Sequence, residues 1–376
     1  MSKLNSGSYP GLIGMVNPHK RRNIALTCVV LIVIVGFLYM AENGFVLDAY
    51  GVRILRQCMV YSICALSLNL IQGYTGQFSL GSAGFMAVGA YATAILSLPP
   101  ETRDTVYYLE PMAPWLKSIY LPFGVALIIG ALLAGLVAFL IGFPVLRLKG
   151  DYLSIATLGF SEIIRLVLNN SQSITNGATG LKGIPDTANL WWCFIAMALI
   201  VLFMTRLFRS SYGRAFMAIR DDEVAAEAMG VSIFKHKMMA FIASAMIAGI
   251  GGGLLASVLS SITPVLFRHL MSYDILLIMV LGGSGTMTGA ILGGFIFVIA
   301  KEALRFMDSG FALGPIDVPA IAGLRMVMFS VLLMVVVLFY HKGLSGGKEF
   351  SWDRLFGFPR KVVGFFTKRR KVENEK

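Results

Sequence analysis

Along the chain, long apolar runs alternate with short polar joints, and the runs set the predicted elements. A run of about 17 to 25 apolar residues is long enough to cross a bilayer as a helix. The first, Asn23 to Met40, follows His19-Lys20-Arg21-Arg22 and reads as a retained span with its basic anchor inside. A second, roughly Arg53 to Gln72, leads into Gly73-Tyr-Thr-Gly-Gln-Phe-Ser-Leu-Gly-Ser-Ala-Gly84, after which the apolar run continues to Leu98. Glycine weakens a helix and hydrocarbon does not tolerate exposed backbone, so this stretch is expected to be buried in protein or to line a cavity. Further spans are predicted at Ile119 to Leu148, Tyr152 to Asn169, Leu190 to Leu207 and Met238 to Leu259, and the last at Ala320 to Tyr340. Between these last two, Ser272 to Ala300 is broken by Gly282-Gly-Ser-Gly285 and reads as two short spans about a reversal. The expected fold is all-α: a polytopic helical membrane protein with about ten crossings, within a range of eight to eleven, and with glycine-broken spans.

The polar joints divide by charge. Residues 99 to 118, opening on Pro99-Pro100, and Thr175 to Pro185, rich in turn formers, read as external loops. Inside lie Arg147 and Lys149, the basic N-terminus 1–22, the loop 208–237 and the tail 341–376, flanking a transmembrane domain 23–340. Of the 32 Lys and Arg, 22 fall in the segments assigned to the inside, counting Arg206 at the end of the preceding span with the loop, and this bias sets the orientation. The loop is the one long polar, helix-forming interruption. Arg214 to Gly230 is predicted as a helix with Asp221, Asp222 and Glu223 midway and a glycine able to end it in a left-handed turn.

Composition supports the pattern. With 57% hydrophobic residues, 14% charged and a mean hydropathy of +0.76, the chain departs from the roughly 45 to 50% apolar fraction of soluble proteins. The net charge of +12 sits beside apolar spans, where topology explains it better than nucleic acid does. Cys28, Cys58, Cys64 and Cys193 lie in apolar runs without a paired spacing, which indicates neither a zinc site nor a disulfide frame.

No catalytic constellation emerges. The four His residues share no metal-ligand spacing, so no metal, cofactor or catalytic residue is expected. Gly343-Leu-Ser-Gly-Gly-Lys348 resembles a phosphate loop until Glu349 replaces the required Ser or Thr. Any uphill transport then draws on an ion gradient or on another subunit. Among carboxylates within spans, Glu162 and Glu302 are the ones that could serve an ion-coupled carrier. Glu162 lies three residues from Arg165, hence on one helix face, and the pair reads as a structural ion pair. Arg56 and Arg325 are read as snorkelling near span ends. The glycine breaks at Gly73 to Gly76 and Gly282 to Gly285 occupy matching places, a pointer to a pathway built from repeats.

Several long stretches carry a resemblance. Residues 73 to 91, 150 to 165, 175 to 181, 213 to 230 and 282 to 289 resemble, in the same order, the permease subunits of bacterial branched-chain amino-acid ABC importers, specifically the longer of the two permease types. The likeness covers most of the chain from about 50 to 345, whereas His341-Lys-Gly-Leu stands where the family often shows Arg-Pro-Arg-Gly-Leu. The resemblance implies a non-enzymatic subunit of the bacterial plasma membrane with both termini cytoplasmic. Its implied partners are two cytoplasmic ATP-binding subunits, a second related permease, an external solute-binding protein and membrane lipid, with no nucleic acid. Arg214, Arg220, Asp221, Glu223, Ala226, Glu227 and Gly230 would form the element that docks into the ATPase. Gly73, Tyr74, Gly76, Gln77, Ser79, Gly81, Gly84, Gly282, Gly283 and Gly285 would line the pathway. Permeases for urea and short amides share the frame. A stand-alone ion-coupled carrier or channel and a non-transporting membrane scaffold remain the rivals.

Overall fold

A computed structural model describes residues 20–108, 110–148 and 150–305, with short pieces at 311–313, 316–318, 327–331, 334, 343–346 and 349. The chain forms two units, 1–46 with 348–376, and 47–347. In the first, the described helix is α1 (Lys20–Glu42), whose Ala25–Glu42 is long and apolar enough to cross a membrane.

The second unit begins with α2 (Ala49–Leu68), which runs without a break into a π-helical turn, Asn69–Tyr74. Next come α3 (Ser82–Ser97), α4 (Pro100–Val106), α5 (Pro114–Lys117), α6 (Phe123–Val145), α7 (Asp151–Asn170) and α8 (Gln172–Thr175). The chain continues as β1 (Leu181–Lys182), α9 (Leu190–Arg209), α10 (Ser211–Asp221), α11 (Glu223–Ala228), α12 (Ile233–Leu259) and β2 (Ser261–Ile262). It closes with α13 (His269–Gly282), α14 (Met287–Ala303) and the hairpin of β3 (Phe311–Leu313) and β4 (Ile316–Val318).

The burial pattern is that of a protein dissolved in lipid. On α6 the small residues Ala126, Gly130, Ala134, Ala138 and Gly142, four apart, are buried, while Val125, Ile128, Leu132, Leu136, Phe139 and Leu140 face outward. Helices whose large apolar groups gain nothing from leaving lipid associate through close packing of small ones. On α7 the buried side chains include Ser154, Thr157 and Ser161, and the exposed ones Tyr152, Ile155, Ile163 and Val167. Polar positions turn inward and apolar ones outward.

The tightest packing is among α3, α6 and α12, with α2 against α12 and α14. The glycines of Gly249-Ile-Gly-Gly-Gly253 in α12 bring backbones into close approach. A Cβ on Gly252 would lie 2.0 Å from the Met86 carbonyl oxygen, and one on Gly89 would lie 2.2 Å from that of Gly249. Two backbones meet where any side chain would separate them.

Among the described residues five helices are long and apolar enough to cross, or up to seven if α3 with α4 and α13 with α14 each count as one bent span. The arms of each pair lie 120° apart. The predicted span at Tyr152 to Asn169 is the half-polar α7, and most of the predicted span at 320–340 lies outside the described residues, as does Arg325. The chain is an all-α polytopic membrane protein, roughly consistent with ten crossings.

At the far end of α12 the two loops expected outside join. β1 pairs antiparallel with β2, Leu181 opposite Ile262. Tyr107 Oη donates to the Ile174 carbonyl at 2.6 Å, and Asn176 Nδ2 to that of Val106 at 2.9 Å. Burial pushes the Tyr107 phenol above its ordinary range, which keeps it a donor. Arg103, counted in the sequence only as a loop cation, is 0% exposed and donates to the carbonyls of Leu98, Leu116, Lys117 and Ile119. It ties the ends of α3 and α5 together.

The reading of carboxylates within spans needs a correction. Besides Glu162 and Glu302, Asp274 lies within α13 and meets Lys301 of α14 at 3.3 Å. Glu302 accepts from Tyr50 and from Arg305. Arg56 is not simply snorkelling, because Nη1 pairs with Asp186 at 2.7 Å. Glu162 accepts from Arg165 Nε at 2.6 Å and from the His269 backbone N–H, so it also caps the start of α13.

Candidate functional site

The loop between α9 and α12 is not the single helix predicted over Arg214 to Gly230. It is two helices, broken at Asp222, whose backbone is extended at φ −159° and ψ 112°. Asp222 Oδ1 accepts from the N–H groups of Val224 and Ala225, so the acidic cluster in mid-loop is a helix start. At the other end, the expected left-handed turn is present at Gly230, φ +83°. The Gly230 N–H donates to Glu227 O and that of Val231 to Ala226 O, a complete Schellman closure.

Phe216 and Ile219 of α10 and Ala226 of α11 point into the protein and seat the loop. Glu223 pairs with Lys237 at the start of α12, and Arg220 Nη2 with Asp221 at 3.0 Å. These two expected docking charges, Glu223 and Asp221, are therefore engaged within the chain, whereas Arg214 and Glu227 are exposed. What the sequence reading missed is apolar: Val224 is 77% exposed and Met229 84%, with Ala225 and Ala228 beside them. Their spacing of four and five residues was the available signal. It marks a second face on a helix whose first face, at Ala226, is buried.

The structure brings the two glycine breaks together and places the loop against them. A Cβ on Gly73 would lie 2.6 Å from the Gly285 nitrogen. Arg220 Nη1 donates to the Gly73 carbonyl at 3.1 Å, and Arg220 Cγ would lie 3.1 Å from a Cβ on Gly76, whose φ is +69°. Tyr74 stacks on Phe208 of α9 with ring centroids 3.7 Å apart. Bridging the breaks is Asn69, 0% exposed, which sequence reading passed over although it is the one Asn in its apolar run. Its Oδ1 accepts from the Gly285 N–H and its Nδ2 donates to the Thr286 carbonyl, both at 2.8 Å.

The remaining expected pathway residues disperse. Gln77 is buried and reaches the Lys237 carbonyl at 3.4 Å, Ser79 is buried, and Gly81 and Gly84 pack on Thr157 and Ser161 of α7. The segment resembling a phosphate loop has another use for its amides. Leu344 donates to Leu281 O at 2.9 Å and Ser345 to Gly282 O at 3.1 Å, closing the end of α13. Ser345 Oγ also lies 2.9 Å from Thr286 Oγ1.

One consequence concerns Glu223. Its reversal to lysine sets two cations side by side at the largely buried Lys237, and the resulting loss of transport should be recovered by adding Lys237→Glu. The expected coupling between the two changes is on the order of 1 kcal/mol. It is read by uptake in the single and double variants. A double variant as inactive as Glu223→Lys would show that the Glu223 carboxylate itself is needed at the surface.

Comparison with known proteins places this geometry. A family model described as branched-chain amino acid transport system / permease component matches residues 50–340, from α2 through the last predicted span. The chain belongs to this permease family. It is 34% identical over 309 residues to the high-affinity branched-chain amino acid transport system permease protein LivM of Escherichia coli K12, covering 73% of this chain and 67% of that one. It is 28% identical to a probable branched-chain amino acid transport permease protein LivM of Methanocaldococcus jannaschii, over 76% of this chain and 90% of that one. A more distant member of the set is the ribose import permease protein RbsC of Haemophilus influenzae, 24% identical over 74% of this chain and 84% of its own. No solved structure matches the chain. Family membership makes this chain a multi-pass membrane component of a transport system.

Proposed function

We propose that this chain is the membrane-spanning permease subunit of an ATP-driven, binding-protein-dependent importer that carries branched-chain and other hydrophobic amino acids across the bacterial plasma membrane. Both termini lie in the cytoplasm. The chain pairs with a second permease and two cytoplasmic ATPases, and solute reaches it from an external binding protein. The observation that carries this reading is the α10–α11 loop: a preformed pair of short, capped helices that holds Val224 and Met229 out in solvent and also exposes Arg214 and Glu227. Exposed apolar groups rimmed by charge suit the groove of a soluble partner. The names of the 34% and 28% identical relatives support the solute class.

The test is reconstitution in liposomes. Leucine uptake should require both ATP and the binding protein, and urea should not compete. Leucine flux through the purified chain alone, without ATPase subunits, would overturn the reading in favour of a stand-alone carrier.

A further inference from the structure

We infer that Asn69 is the positioning residue that hands movement of the α10–α11 loop to the α13–α14 hairpin. The inference rests on the importer reading and adds to it the route by which the loop reaches the membrane helices. Four separate segments converge within hydrogen-bond reach: the π-helical turn of α2, the break between α13 and α14, Arg220 of the loop, and Gly343–Gly346.

A fully buried amide is costly to desolvate unless both its ends are bonded. Asn69 meets that condition entirely across the gap. Its oxygen takes the Gly285 N–H and its nitrogen gives to the Thr286 carbonyl, so neither bond stabilises its own helix. An apolar side chain would fill the space without the desolvation cost. What the amide adds is a two-point clamp that fixes the hairpin tip to α2. A π-helical turn is rare and concentrates at functional positions, and this one begins at Asn69 itself. It brings Gly73 so close that its Cβ would lie 2.0 Å from Asn69 Oδ1 and 2.6 Å from the Gly285 nitrogen.

On the other side of the same glycine sits the loop. Arg220 Nη1 holds the Gly73 carbonyl at 3.1 Å while Nε and Nη2 hold Asp221, so a shift of α10 draws directly on Gly73. Gly73 cannot slide past Gly285 without breaking the Asn69 clamp. The tip then moves with α2 and with Ser345, which contacts Thr286. Close-packed junctions of this kind move as units rather than deforming continuously.

The test compares Asn69→Ala with wild type in the full complex, reconstituted in liposomes with ATPases and binding protein. ATP hydrolysis and leucine uptake are measured on the same vesicles. With the clamp gone, the ATPases should still copurify with the permease, and the ATP consumed per leucine imported should rise about tenfold, the order expected from losing two buried hydrogen bonds. Asn69→Asp keeps the shape and the oxygen facing Gly285 but sets a second oxygen against the Thr286 carbonyl in place of the amide donor, so its ratio should also rise. A merely structural role lowers hydrolysis and uptake in step with the yield of complex and leaves their ratio alone. A ratio within about twofold of wild type in both variants, or in Asn69→Asp where Asn69→Ala fails to assemble, overturns the inference. Absence of ATP-dependent uptake in the wild-type complex instead overturns the importer reading on which it stands.

Discussion

Replacing Val224 and Met229 together by aspartate is expected to cut ATP-driven uptake at least about a hundredfold while leaving membrane insertion unchanged. Truncating an apolar anchor at the centre of an interface costs about 2 kcal/mol or more, and each 1.4 kcal/mol is roughly tenfold in affinity. Two such anchors lost, with carboxylates set into the partner's groove, exceed what a rim of charges can restore. Because the two side chains are 77% and 84% exposed, the change leaves the loop itself intact. The Asp222 cap, the Gly230 closure and the Glu223–Lys237 pair all remain. The measurement is copurification of the ATPase subunits alongside uptake: both should be lost together, with normal yield of the permease. Full uptake in the double variant would mean that the apolar face is not the docking surface.

The second large effect is on folding. Gly252→Val should abolish accumulation of folded protein, because its Cβ would sit 2.0 Å from the Met86 carbonyl and neither backbone can yield within its helix. Overpacking of this kind costs about 3 kcal/mol or more, a large share of a stability that is commonly roughly 5 to 15 kcal/mol. Gly159→Ala is the control. Gly159 lies on the exposed face of α7 with nothing within 4 Å of an added Cβ, and alanine there should be neutral or stabilising by about 1 kcal/mol. Yield of monodisperse protein after detergent extraction, and its melting temperature, would separate the two. Equal behaviour of both variants would contradict the packing described for α3, α6 and α12.

Much of this arrangement was legible in the sequence where one physical rule dominated. The long apolar runs, the glycines of α12, the break at Gly282 to Gly285 and the left-handed turn at Gly230 follow from hydrophobic length and from what glycine alone can do. Reading failed where local and tertiary demands compete. Asp222 lies among good helix formers, and propensity alone extends one helix through it; the side chain instead reaches back to two amides and starts another. Arg103 reads as a solvated loop cation because nothing nearby in the chain reveals that four carbonyls await it. Asn69 and Asp274 are isolated by charge or amide type in largely apolar runs, and their partners, Gly285 with Thr286 and Lys301, lie farther along the chain.

The glycine breaks illustrate the same limit. Their matching positions were visible, but not that Gly73 and Gly285 touch, nor that Arg220 completes the junction from the loop. Charge reading of the loop was also incomplete. It named Asp221 and Glu223 for docking without the neighbours each also pairs with, and it passed over the hydrophobic pair that solvent meets first.

The central claim, that the α10–α11 loop lies on the cytoplasmic face and is gripped there by a soluble subunit, is tested most directly by labelling a cysteine introduced at Met229, in a chain whose four native cysteines are replaced, with a membrane-impermeant thiol reagent. The account predicts no labelling in intact cells, rapid labelling in inside-out vesicles stripped of the ATPases, and protection when the ATPases are added back. Labelling from outside intact cells, or labelling in stripped vesicles that the ATPases leave unchanged, would contradict it.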